Sequence, residues 1–132
     1  MIKVEVLLLI RLLTMVFIGI LFVQSAMDKI LNYNDNQQWI NSYFNKSIFK
    51  GQTKILFFTI TLLESGAGLL CIIGIFYSKN IANPLGFYGL FLSSIALLCL
   101  FMGQRIAKDY AAAANMPGYL VVSLIGLFTY LM

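Results

Sequence analysis

Two charged residues lie inside long apolar runs of this chain, Arg11 within Val6 to Val23 and Glu64 within Ile55 to Gly74. A charge surrounded by hydrocarbon is costly and is kept only where it is paired, hydrogen-bonded or used. Three uses are open. Arg11 and Glu64 can pair with one another if their helices are neighbours and the arginine reaches along its helix axis. Arg11 can instead snorkel to the near interface, leaving Glu64 protonated or hydrogen-bonded to Thr61 or Ser65. Glu64 can also relay protons, but a relay needs a second carboxylate or a histidine to continue it, and the chain contains no histidine. That absence removes bis-histidine haem, histidine metal sites and the commonest general base together. The two cysteines, Cys71 and Cys99, form no Cys-x-x-Cys motif. They also belong at depths differing by roughly 18 Å on the helices laid out below, too far apart for a disulfide. No catalytic residue and no metal site is expected, and no cofactor bound by this chain alone.

A second polar concentration falls where the first and third apolar runs end: Gln24, Asp28 and Lys29, with Gln104, Arg105, Lys108 and Asp109. Opposite charges at matched depth can clamp two helix ends, and Arg105 and Asp109 stand at i, i+4. The same cluster could dock a partner or hold a quinone headgroup.

The elements that must place these residues follow from composition. Hydrophobic residues make up 61% of the 132 and charged residues 11%, against roughly 25% charged in a soluble domain, so the apolar surplus must face lipid. The formal charge of +4 is scattered beside the apolar runs and reads as membrane-flanking charge, with no nucleic-acid partner. A helix needs about 20 apolar residues to cross a bilayer, and the runs at 6–27, 55–77, 85–102 and 117–132 predict four helices. The last is short and starts at Pro117, a residue suited to a first helical turn. A signal-peptide reading of the first run is rejected because Arg11 interrupts it. The fold expected is all-α: a single membrane domain, an antiparallel four-helix bundle with a tight turn over 78–84. The face formed by the first and third connections carries Lys29, Lys46, Lys50, Lys54, Arg105 and Lys108, and the positive-inside rule assigns it to the cytoplasm.

The longest connection, 28–54, carries Trp39, Tyr43, Phe44, Ile48 and Phe49 at helical spacing among asparagines and glutamines. It predicts an amphipathic helix over about 36–49, lying in the interface with its aromatics at headgroup depth. Small residues gather in the second and third runs, Ser65-Gly66-Ala67-Gly68, Gly74, Gly86, Gly89 and Ser93-Ser94. They allow close helix approach, whether within the chain or against other membrane subunits.

The run from Arg11-Leu12-Leu13 through Phe17, Gly19 and Phe22 to Ser25-Ala26-Met27-Asp28-Lys29-Ile30 resembles the first helix of DoxX-like membrane proteins. Leu63-Glu64-Ser65-Gly66-Ala67-Gly68-Leu69-Leu70 with Ile73-Gly74 is similar to the glutamate and glycine pattern of that family's second helix, and the four-helix layout with a longer first loop agrees. The resemblance spans nearly the whole chain through moderately specific motifs, and it rests chiefly on Arg11, Lys29 and Glu64. It implies a small non-catalytic subunit in the bacterial cytoplasmic membrane, anchoring or supporting a quinone-linked redox complex. The alternatives are a structural or assembly partner of another membrane complex and a stand-alone quinone- or lipid-binding protein.

Overall fold

The computed structural model describes residues 2–77 and 83–131, and every regular element among them is helical. In chain order these are α1 (Ile2–Leu31), α2 (Tyr33–Tyr43), α3 (Thr53–Phe76), α4 (Leu85–Ile106), α5 (Tyr110–Ala113) and α6 (Met116–Phe128). Four stretches are long and apolar enough to cross a membrane: α1, α3, α4 and the 19 residues Tyr110–Phe128 that hold α5 and α6. The expected turn over 78–84 lies mostly outside the described residues, as does the end of the last helix at Met132.

Helix α1 continues past the expected end at 27 to Leu31, because Met27 to Leu31 includes no Gly or Pro to stop it. Helix α4 runs to Ile106 and ends in a Schellman motif. There the Lys108 amide donates to Arg105 O (3.1 Å) and the Asp109 amide to Gln104 O (2.9 Å), with Lys108 in the left-handed region at φ 64°. Pro117 opens α6 as expected. The 13 residues of α6 rise only about 20 Å, and α5 supplies the rest of the apolar stretch ahead of it.

Helix α3 packs on α1 and α4, and α6 packs on α4 and α1. Glycines set these contacts. A Cβ on Gly68 would stand 2.9 Å from the Val23 side chain, one on Gly74 would stand 2.7 Å from Gly86 Cα, and one on Gly89 would stand 2.8 Å from the Cys71 amide nitrogen. Gly126 likewise meets Thr14 and Leu90. Gly19–Cys71 and Val23–Gly68 thus join α1 to α3, and Gly74–Gly86 and Cys71–Gly89 join α3 to α4. The small residues of α3 and α4 are therefore spent within the chain rather than left free for a second subunit.

The core is Met15, Ile18, Phe22, Ala67, Cys71, Leu90, Ala96 and Leu97. It also contains hydroxyls, each with a partner: Ser93 donates to Gly89 O (2.7 Å), Ser123 donates to Leu90 O (2.9 Å), and Ser94 and Ser123 share a hydrogen bond of 2.7 Å. Polar side chains that join helices in this way suit a chain whose outside is no more polar than its inside. Leu13, Ile20, Phe58, Leu62, Leu69 and Phe76 are all more than half exposed, a continuous apolar exterior of the kind soluble proteins seldom leave uncovered. Both cysteines are free, Cys71 buried and Cys99 exposed.

The first connection departs from expectation. Helix α2 covers Tyr33–Tyr43 instead of 36–49, and the chain then turns through residues 44–52 with Gly51 at φ 84°. Ser47 accounts for the early stop. Its hydroxyl donates to Phe44 O (2.9 Å) and accepts from the Phe49 amide (3.2 Å), a local bonding pattern that competes with helix. Nor does the whole aromatic stripe face outward. Ile40 and Phe44 are buried with Phe57, and Tyr43, Phe49, Leu56 and Ala107 pack against them. Of the expected interfacial residues only Trp39 and Ile48 remain largely exposed.

Candidate functional site

Glu64, on the middle of α3, is 1% exposed, and its Oε2 lies 3.1 Å from Lys29 Nζ near the end of α1. Lys29 Nζ also donates to Ser25 Oγ one turn back at 2.8 Å. The expected pairing of Glu64 with Arg11 is therefore corrected, and helix geometry explains why. Side chains on a helix tilt toward its N-terminus. Lys29 thus leans back along α1 and Glu64 back along α3, and the two reach toward one another. Arg11 leans the same way as Lys29, toward the start of α1, and so away from Glu64.

There Arg11 meets the end of the last helix. Its Nε donates to Thr129 Oγ1 at 3.1 Å, its Nη2 donates to Thr129 O at 3.0 Å, and its guanidinium carbon sits 3.6 Å from the centre of the Tyr130 ring. A cation supplies donors to carbonyls that a helix C-terminus leaves without partners. Arg11 is 3% exposed, so it is a buried helix tie and does not snorkel. Of the two hydroxyls expected as alternative partners of Glu64, Thr61 and Ser65, Thr61 donates to Phe57 O (2.7 Å). The second carboxylate oxygen, Glu64 Oε1, is buried and has no hydrogen-bond partner among the described residues.

Lys29 and Glu64 line a partly open cavity of about 510 Å³. Helices α1, α3, α4 and α6 wall it with side chains such as Leu21, Phe22, Leu63, Leu97 and Met116, while α2 and the turn after it bring Trp39, Tyr43, Phe44 and Phe49. Gln104 is a further lining residue, and its Oε1 is also buried without a partner. Tyr43 holds α2 in place. Its hydroxyl donates to Asp109 Oδ2 at 2.7 Å, while Asp109 Oδ1 caps α5 by accepting from the Ala112 amide at 3.2 Å. Burial first, and then the Asp109 carboxylate, raise the Tyr43 phenol well above its ordinary 10.0, so it remains a donor at neutral pH. A bond between Thr53 and Asn41 ties α2 to the start of α3. A second groove, of about 570 Å³, lies between α1 and α3 and shares Lys29.

The expected seven-residue cluster is not one network. Gln24 and Asp28 are exposed, and Asp28 accepts from Asn32 (2.9 Å) and Asn36 (3.4 Å), the asparagines around the start of α2. Arg105 lies over the Tyr110 ring at 4.5 Å rather than on Asp109. The turn at Lys108 breaks the helical register that their i, i+4 spacing assumed. Of the seven, Lys29 and Gln104 line the cavity and Asp109 anchors the helix that covers it. Sequence reasoning placed Lys29 in the wrong partnership. The available signal was Ser25, four residues before Lys29, together with the direction of side-chain tilt. Compared with family models, curated proteins and solved structures, the chain gives no match.

Proposed function

We propose that this chain is an integral membrane protein, an antiparallel four-helix bundle that holds one lipid-soluble molecule with a polar head in the cavity beside Lys29 and Glu64. The observation that carries the reading is an ion pair of buried Glu64 with partly buried Lys29 on the wall of a mostly apolar, aromatic-rimmed space. Ligand sites are concave, mostly apolar and supplied with a few placed polar groups, typically at about 300–1,000 Å³, and about 510 Å³ falls in that range. On this reading the protein performs no bond chemistry. Glu64 is engaged by Lys29, Arg11 by Thr129 and the Tyr43 hydroxyl by Asp109. The likeness of Arg11, Lys29 and Glu64 to DoxX-like proteins supports placing it as a small subunit beside a quinone-linked redox complex in a bacterial cytoplasmic membrane. A role purely as an assembly partner draws less support, because the glycine-rich stripes that would serve it meet helices of the same chain.

The test is extraction of the chain from its native membrane in mild detergent, followed by mass spectrometry of the proteins and apolar molecules that accompany it. About one molecule of a defined lipid-soluble compound per chain is expected, lost when Leu97→Trp fills the cavity. The same lipid mixture with and without the substitution, matching the bulk membrane, would refute the reading.

A further inference from the structure

Resting on that reading, we infer that the cavity selects a molecule whose head is a neutral hydrogen-bond donor, a hydroxyl on an apolar isoprenoid or alkyl body, and that Glu64 Oε1 accepts its proton. Glu64 is 1% exposed and its Oε2 is engaged by Lys29, but Oε1 has no partner. An ionised carboxylate oxygen is an acceptor only, and burying one without a donor is strongly unfavourable. The occupant must therefore bring a proton to it. A carbonyl or an ether brings none.

Charge restricts the head further. A carboxylate or phosphate would stand against Glu64, and an ammonium would stand against Lys29. A neutral hydroxyl meets both without repulsion, because the Lys29 ammonium has three donors and spends two of them, on Ser25 Oγ (2.8 Å) and Glu64 Oε2 (3.1 Å). The third can reach the hydroxyl oxygen while the hydroxyl proton goes to Oε1. Gln104 Oε1, the other buried acceptor without a partner on the cavity wall, favours a donor in the same way. Tyr43 adds no competing free donor, since its hydroxyl is committed to Asp109. The rest of the wall is mostly aliphatic and aromatic, with Thr59 and Cys99 among it, and suits an apolar body.

Trp39, the only tryptophan, lines the cavity, so its fluorescence reports occupancy. The purified full chain in detergent is titrated with geranylgeraniol and with geranylgeraniol methyl ether, two probes of nearly equal size in which a methyl group replaces the hydroxyl hydrogen and removes the donor. The alcohol is expected to bind at least tenfold more tightly, and Lys29→Met with Glu64→Leu, which removes both charges together, is expected to abolish the difference. A prenylated hydroquinone and its quinone form a second pair that separates a phenolic from an alcoholic head, and within it the hydroquinone is expected to win. Equal affinities within both pairs, or tighter binding of the quinone, would overturn the donor-head inference and leave the lipid-binding reading standing. No response of Trp39 to any of the four, together with no compound accompanying the native protein, would overturn both.

Discussion

Replacing Lys29 by Met and Glu64 by Leu, singly and together, isolates what holds the polar wall of the cavity. At 3.1 Å and an effective dielectric constant of about 20, the Coulomb attraction is about 5 kcal/mol. Glu64 at 1% side-chain exposure and Lys29 at 19% are both largely stripped of solvent, and desolvation takes back several kcal/mol per ion. The pair is thus close to balanced against an apolar replacement, while each single substitution strands a charge at about 3–5 kcal/mol. Either single variant should melt about 10 °C or more below the parent, and the double variant should melt within a few degrees of it. The double-mutant cycle then gives a coupling of at least about 5 kcal/mol. Cys71 supplies the assay: it is buried, and Cys99 is exposed, so in a Cys99→Ser background a thiol-reactive dye follows unfolding with temperature. Additive losses in the double variant would show that Lys29 and Glu64 contribute separately and that no ion pair forms. Glu64→Gln, which keeps an acceptor for Lys29, should fall between the parent and Glu64→Leu.

Gly89→Ala places a Cβ 2.8 Å from the Cys71 amide nitrogen and should cost about 1–3 kcal/mol of stability, whereas Gly118→Ala, with nothing within 4 Å, should be neutral or stabilising in the same melt. Lys108→Gly relieves a left-handed residue at φ 64° and should raise stability by about 1 kcal/mol, unless the end of α4 is not the Schellman turn described. Because the bound Tyr43 phenol titrates above its free value of 10.0, the released form ionises first on raising the pH. The hold on α2 is therefore full below about pH 10 and falls above it, a loss that Trp39 fluorescence should report and that Tyr43→Phe should lack. In a background without Cys71 and Cys99, a cysteine at position 48 should react with a water-soluble maleimide much faster than one at 44, since Ile48 is 79% exposed and Phe44 is 6% exposed; equal rates would mean that the segment is solvated throughout.

The spans were legible because hydrophobicity is summed over many residues, so no single position decides it. Their ends were less so. Residues at the end of α1 are polar enough to suggest loop but contain no breaker, and the helix runs on to Leu31. The end of α4 depends on Lys108 taking a backbone conformation usually left to glycine, which composition does not announce. The charged pair was misread for a geometric reason. Depth along the chain gave each residue one number, whereas a long side chain has a direction fixed by its helix, so two charges at different depths can still meet. Lys29 sits in the polar end of its run and was grouped with the charges at the helix ends, yet it reaches back past Ser25 to a glutamate on α3.

The aromatic stripe of the first connection carries the same lesson to the cavity. Spacing identified Trp39, Tyr43, Phe44 and Phe49 as one apolar face, and an apolar face will be covered, but periodicity is blind to what covers it. Lipid headgroups and the protein's own helix ends are equally good answers on hydrophobic grounds. What distinguishes them is the polar residue on the edge of the stripe. Tyr43 gives its hydroxyl to Asp109, an acceptor that exists because α4 ends in a turn and α5 needs a cap, so α2 is drawn over the gap between α1, α3, α4 and α6 rather than away from it. The space left beneath is lined mostly by apolar and aromatic side chains, with Ser25, Lys29, Thr59, Glu64 and Gln104 as the polar exceptions. Tyr43→Phe should accordingly weaken both the seating of α2 and ligand binding, while Trp39→Phe, on the exposed side of the stripe, should leave α2 seated.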